Sequence, residues 1–266
     1  MEEPLPVLES PRDATPPPVT SLAARLLNVF AVPGEVFAEV KVGRICIGNW
    51  LVPALLSALV AVFTAVVIVS HPAFQRQMHD LTERQAKAVD QQVKAGKVKE
   101  ADANHALALV RAITQPGTVK TLASIAVAVI GVARVFWWAF ILWLVGRLFL
   151  KVRIGYPKAL EVAGLGLMIS VLGTVVTLLL MVNLPSLFAT PNLASAISDL
   201  DSIRKSSLLL GAANVFAFWM IGVLSVGLAK LAGVPFLRAA WFVFAVWLIQ
   251  ESFFVLLAGV LGQFTL

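Results

Sequence analysis

The amino-acid sequence predicts an all-α integral membrane protein: a five-transmembrane-helix bundle with N-terminal amphipathic surface helices and an extramembrane helical hairpin between spans one and two. Three observations carry this reading. Of 266 residues, 59% are hydrophobic and 14% are charged, against roughly 45–50% apolar residues in ordinary soluble domains. The mean hydropathy is +0.88. Five separate runs reach the length of about 20 apolar residues that a bilayer core requires. The net charge of +6 would suggest nucleic acid in a soluble chain, but here the cations mostly flank apolar runs and read as orientation signals.

Residues 1–20 contain six prolines and four acidic residues without apolar periodicity, which predicts a disordered cytoplasmic tail. A basic start leading directly into an apolar stretch is missing, so this segment reads as a retained tail and not as a signal peptide. From Ser21 to Val42 apolar residues recur at helical spacing, broken by Pro33-Gly34 and interleaved with Arg25, Glu35, Glu39 and Lys41. That pattern fits two short amphipathic helices capped at Thr20 or Ser21. Whether they lie in the membrane surface or dock as a pair on the protein stays open.

The spans fall at about 49–70, 121–146, 159–183, 207–229 and 239–261. Between the first two, residues 71–120 keep helical spacing on both sides of Gly96 and carry eight basic and five acidic residues. They predict a solvated outer helical hairpin closed by Pro116-Gly117. Near the span ends, eight lysines and arginines fall on the side of the N-terminus and six on the other, and four of the eight lie within 147–158. The excess places the N-terminus in the cytoplasm, and five crossings then leave the C-terminus outside.

Helices in lipid associate through close packing of small residues and a few polar contacts. Ser57, Ala61 and Ala65 on span one, and Gly166, Ser170 and Thr174 on span three, form the expected contact stripes. Trp50 and Trp241 mark the headgroup layer. Ionisable groups within the apolar layer are costly unless paired or wetted. Arg134 and Glu251 lie at matching depths in spans two and five, about 18 Å from the cytoplasmic end at 1.5 Å per residue. With Gln250 and Asn214 they form a candidate intramembrane polar cluster, either a clasp that fixes helix register or the lining of a pathway. Glu161, near the cytoplasmic start of span three, is expected at the interface, meeting Lys230 or Lys158.

No catalytic constellation emerges. His71, His79 and His105 lack metal-ligand spacing, Cys46 is alone, and no phosphate-binding loop or nucleophile elbow occurs. No catalytic residue, cofactor or metal site is therefore expected.

The stretches RLLNVFAVPGEVFAEV (25–40) and NWLVPALLSAL (49–59) resemble the entry of bacterial members of the Yip family, the Ypt/Rab-interacting-protein membrane domain. Residues 155–176 and 214–249 look like that family's third span and final hairpin. The resemblance extends over most of 21–261 and implies a Yip-like membrane domain over 43–266, in a small non-enzymatic protein of the bacterial cytoplasmic membrane. Eukaryotic relatives are associated with Rab-type GTPases, but their Asp-Leu-x-Gly-Pro motif is absent here, so no functional residue carries over by position. The expected role is organisation of membrane or of a membrane complex, with lipid and other membrane proteins as partners and no nucleic acid. The alternative is a transporter, channel or lipid-moving protein built on Arg134 and Glu251.

Overall fold

The structure, a computed structural model, describes residues 20–183 and 214–263. The Pro-rich segment 1–19 and the first residues expected in span four, 207–213, lie outside the described residues. Among the described residues all regular structure is helical: α1 (Leu22–Ala31), α2 (Pro33–Val42), α3 (Gly48–Ser70), α4 (Pro72–Lys94), α5 (Glu100–Thr114), α6 (Pro116–Leu148), α7 (Tyr156–Asn183), α8 (Val215–Ala232) and α9 (Phe236–Gln263). Five of these, α3, α6, α7, α8 and α9, are long and apolar enough to cross a membrane.

Local chemistry sets the boundaries. Ser21 caps α1, its Oγ accepting from the Ala24 N–H at 3.2 Å. Proline starts α2, α4 and α6 at a position where a missing N–H costs nothing. Gly233 ends α8 with a left-handed φ of 68°, and Gly96 turns the outer hairpin with the same φ. The 33 residues of α6 extend about 50 Å, well beyond a hydrocarbon core of about 30 Å, so α6 continues out of the bilayer towards α5.

The central element is α7, buried on several sides and packed against α3, α6 and α8, while α9 packs mainly on α8. Small residues mark its seams. A Cβ on Gly166 would meet Leu224 Cδ2 at 2.5 Å, and one on Gly173 would meet Phe216 Cβ at 2.9 Å. Ser170 Oγ donates to Met220 Sδ at 3.0 Å. This stripe therefore faces α8. On α3, Ser57 and Ala58 meet Gly131 of α6, with contacts of 3.4 Å to a Cβ built there. The tightest approach is at Gly164, where a Cβ would fall 2.3 Å from Trp50 Cα and 2.7 Å from the Asn49 carbonyl oxygen. Pro53, inside α3, has no N–H to return to that carbonyl four residues back.

The helix pair α1–α2 docks on the bundle. Arg25 Nε lies 3.5 Å from Glu39 Oε2, and Thr20 donates to the same carboxylate, so the two helices run antiparallel. Gly34 lies beside Val226 and Lys230, Phe37 beside Gly227, and Lys41 beside Gly233. Thus α2 runs alongside the last two turns of α8 and in the same direction, burying Val36, Phe37 and Val40. At the opposite end of the bundle, α4 and α5 pair as a polar hairpin with exposed i,i+4 ion pairs such as Lys94–Asp90, which stabilise a helix only slightly.

Candidate functional site

Two groups of polar side chains interrupt the apolar interior. The first lies at the end that carries α1 and α2. Glu161, in the second turn of α7, is fully buried, as is Asn49 in the first turn of α3. Asn49 Nδ2 donates to Glu161 Oε2 at 2.5 Å, and Lys158 Nζ lies 3.2 Å from Glu161 Oε1. The same ammonium donates to the Val40 carbonyl at 2.6 Å and the Gly43 carbonyl at 2.8 Å. One lysine thus neutralises a buried carboxylate and satisfies carbonyls at the end of α2. A carboxylate here is supported by charge pairing and by hydrogen bonding, the two conditions a buried ion requires.

Of the two expected partners of Glu161, Lys230 and Lys158, the ion pair is made by Lys158 and not by Lys230. Lys158 stands three residues earlier on the same helix face, and Glu161 is buried within the protein in the second turn of α7. Lys230 instead lays its stem near Gly34, with Cε 3.7 Å from a Cβ built there, and borders a surface concavity with Lys41 and Gly233. Asn49 was not singled out from sequence. Its only signal is an amide at the head of an apolar run.

The second group surrounds a cavity of about 190 Å³ between α6, α7, α8 and α9. Arg134, Asn214, Gln250 and Glu251 all line it, together with Ser170, Thr174 and Thr177. Arg134 stands 14 residues inside the Leu148 end of α6, and Glu251 stands 15 residues inside the Phe236 end of α9. At 1.5 Å per residue both are about 21–22 Å from the end that carries α1 and α2. Among the described residues no direct ion pair joins them. Gln250 Oε1 accepts from Trp137 Nε1 at 2.6 Å, tying α9 to α6. Asn214 is not within a helix: it is the N-cap of α8, its Oδ1 accepting from the Phe216 N–H at 2.9 Å. The cavity is polar and has room for several waters, and Arg134 is left exposed by the helix packing.

A family model for the Yip1 domain matches residues 27–258. The chain belongs to the Yip family. No curated protein and no solved structure is matched. The matched range takes in α2, the Asn49–Glu161–Lys158 group and the polar cavity, so both sites belong to the Yip1 domain itself. A multi-pass membrane protein of this family is embedded in a lipid bilayer, which is the solvent both polar groups must be protected from or opened away from.

Proposed function

We propose that this Yip protein is a non-enzymatic organiser of membrane or of a membrane complex, acting through its α1–α2 hairpin with the N-terminus in the cytoplasm. The observation that supports this is the position of the hairpin beside the inner turns of α8. The described α8 has 18 residues, close to the minimum that crosses a bilayer. A helix pair standing against its last two turns adds bulk to one leaflet. The outward side of that pair exposes large apolar side chains, Leu27 at 70% and Val42 at 83%, among the polar Asn28, Glu35 and Lys41, a mixed surface suited to the boundary between headgroups and acyl chains.

Reconstituted into unilamellar vesicles at increasing density, the wild-type chain is expected to change vesicle diameter or shape. Leu27→Ser with Val42→Ser should lose much of this, by roughly half or more, at unchanged thermal stability, because neither side chain packs in the core. Vesicle dimensions unaffected by the wild-type chain would remove this reading.

The polar lining of the cavity favours a second reading, movement of a proton, ion or polar headgroup past Arg134 and Glu251. Glu251→Gln would then reduce flux in reconstituted vesicles by at least tenfold while the protein stays folded. Exchanging the charges, Arg134→Glu with Glu251→Arg, separates the alternatives: folding restored without flux identifies a clasp.

A further inference from the structure

Between α6 and α7 the chain turns within residues 149–155, at the end that carries α1 and α2. Packing fixes which side chains face outwards. Leu150 and Ile154 are buried, while Lys151 and Arg153 are exposed. Ile154 covers Gly146, where a Cβ would meet its Cδ1 at 2.5 Å. The Leu150 and Val152 N–H groups donate to the Val145 and Gly146 carbonyls at 3.0 and 2.9 Å. The turn is thus fastened to α6 from within. Lys151 has a φ of 56°, a left-handed conformation that residues other than glycine and asparagine seldom adopt, and that persists only where the surroundings determine it.

Lys151, Arg153 and Arg147 border an open concavity of about 510 Å³. Arg147 is held with its guanidinium carbon 5.5 Å from the Trp143 ring centroid. Among the described residues none of the three pairs with a carboxylate, and residues 147–158 contain no acidic residue. Immediately beside the cations, Leu148 and Phe149 are exposed, with Phe149 against Phe242 at 5.2 Å between ring centroids. An apolar shelf therefore adjoins a fixed cationic array at the point where a helix leaves the membrane.

We propose that this turn is a binding site for the headgroup of an anionic phospholipid in the adjacent leaflet. Its phosphate and net negative charge meet Arg147, Lys151 and Arg153, and its acyl chains lie along Leu148 and Phe149. A soluble phosphate would use the cations but not the apolar shelf. A zwitterionic lipid would bring an ammonium into the same array. The site is separate from the outward face of the α1–α2 hairpin, so it stands or falls independently of vesicle reshaping.

The test is lipid retention by the full-length protein, measured by native mass spectrometry after equilibration with an equimolar mixture of phosphatidylglycerol and phosphatidylcholine. The wild-type chain is expected to retain phosphatidylglycerol preferentially. Lys151→Gly keeps the backbone, since glycine accepts the left-handed φ without strain, and should lose that preference several-fold. Removing all three cations, Arg147→Gln, Lys151→Gly and Arg153→Gln, should reduce it on the order of a hundredfold, from about fivefold per cation near a membrane surface. Lys87→Gln, Lys94→Gln and Lys97→Gln, an equal charge change in the outer hairpin, should leave it unaltered. Wild-type retention by the triple variant at the turn, equal loss in the hairpin control, or displacement of the lipid by millimolar inorganic phosphate would each overturn the proposal.

Discussion

Substituting Gly164 by valine is expected to prevent this protein from being recovered as a folded species in detergent, and Gly164→Ala to destabilise it by about 3 kcal/mol, the upper part of the usual range for an overpacked core. The obstacle is what decides the size. At most tight glycines of the bundle, such as Gly166 against Leu224, a new Cβ meets a side chain that has other rotamers. At Gly164 it meets the Trp50 Cα and the Asn49 carbonyl, so α3 itself must move. Moving α3 also pulls Asn49 away from Glu161. Thermal unfolding followed by retention of the monodisperse peak would check this, with Gly222→Ala as the control, because nothing lies within 4 Å of a Cβ built at Gly222. Equal behaviour of Gly164→Ala and Gly222→Ala would mean that α3 and α7 are not in close backbone contact.

The second large effect is expected at Glu161. Truncation to alanine leaves the half-buried Lys158 without its anion and the buried Asn49 amide without its acceptor, a loss of about 3 kcal/mol, the lower part of the range for breaking a buried pair because the lysine keeps some contact with solvent. Glu161→Gln keeps an acceptor for Asn49 and should cost less, about 1–3 kcal/mol. Removing both charges, Glu161→Leu with Lys158→Met, should recover part of the stability of the bundle. It should not restore the end of α2, whose Val40 and Gly43 carbonyls lose their donor. Hydrogen exchange over residues 33–47 would then rise even where thermal stability returns. Protection of that segment unchanged in the double variant would show that Lys158 does not hold it.

How much of this was legible in the sequence depends on what each feature needs to know. The five spans were, because hydropathy and length alone select them. The stripe at Gly166 and Ser170 was, because two small residues four apart must share a helix face. Helical rise converts residue number into depth, and depth alone is what groups Arg134, Gln250, Glu251 and Asn214 as candidates; all four line one cavity, without a direct Arg134–Glu251 ion pair among the described residues. Depth carries no lateral information, however. Lys230 and Lys158 are both near the level of Glu161; the i,i+3 spacing on one helix favours Lys158, but that the same ammonium also binds the Val40 and Gly43 carbonyls depends on the packing of α2 against α7. Asn49 and Gly164 escaped notice for the same reason: each matters only once α3 is known to lie against α7. Apolar flanks place Asn214 inside a span by sequence, whereas its side chain caps the start of α8. The amphipathic pattern of 21–42 revealed an apolar face without revealing what would cover it.

The seating of α2 on α8 has a consequence for biogenesis. Residues 33–42 leave the ribosome almost two hundred residues before their partner at 226–233, and segments of a chain fold roughly in the order of synthesis. Until then Val36, Phe37 and Val40 lack the α8 surface beside which they are buried, and the pair has only the bilayer surface and the earlier helices α3 and α7 for shelter. The amphipathic character that marks it as a surface element therefore suits the stage before α8 is made, and the fourth crossing supplies the surface on which α2 is finally seated. The last steps of maturation are thereby coupled, so that a nascent chain truncated before α8 exposes to the membrane the face that the finished protein buries.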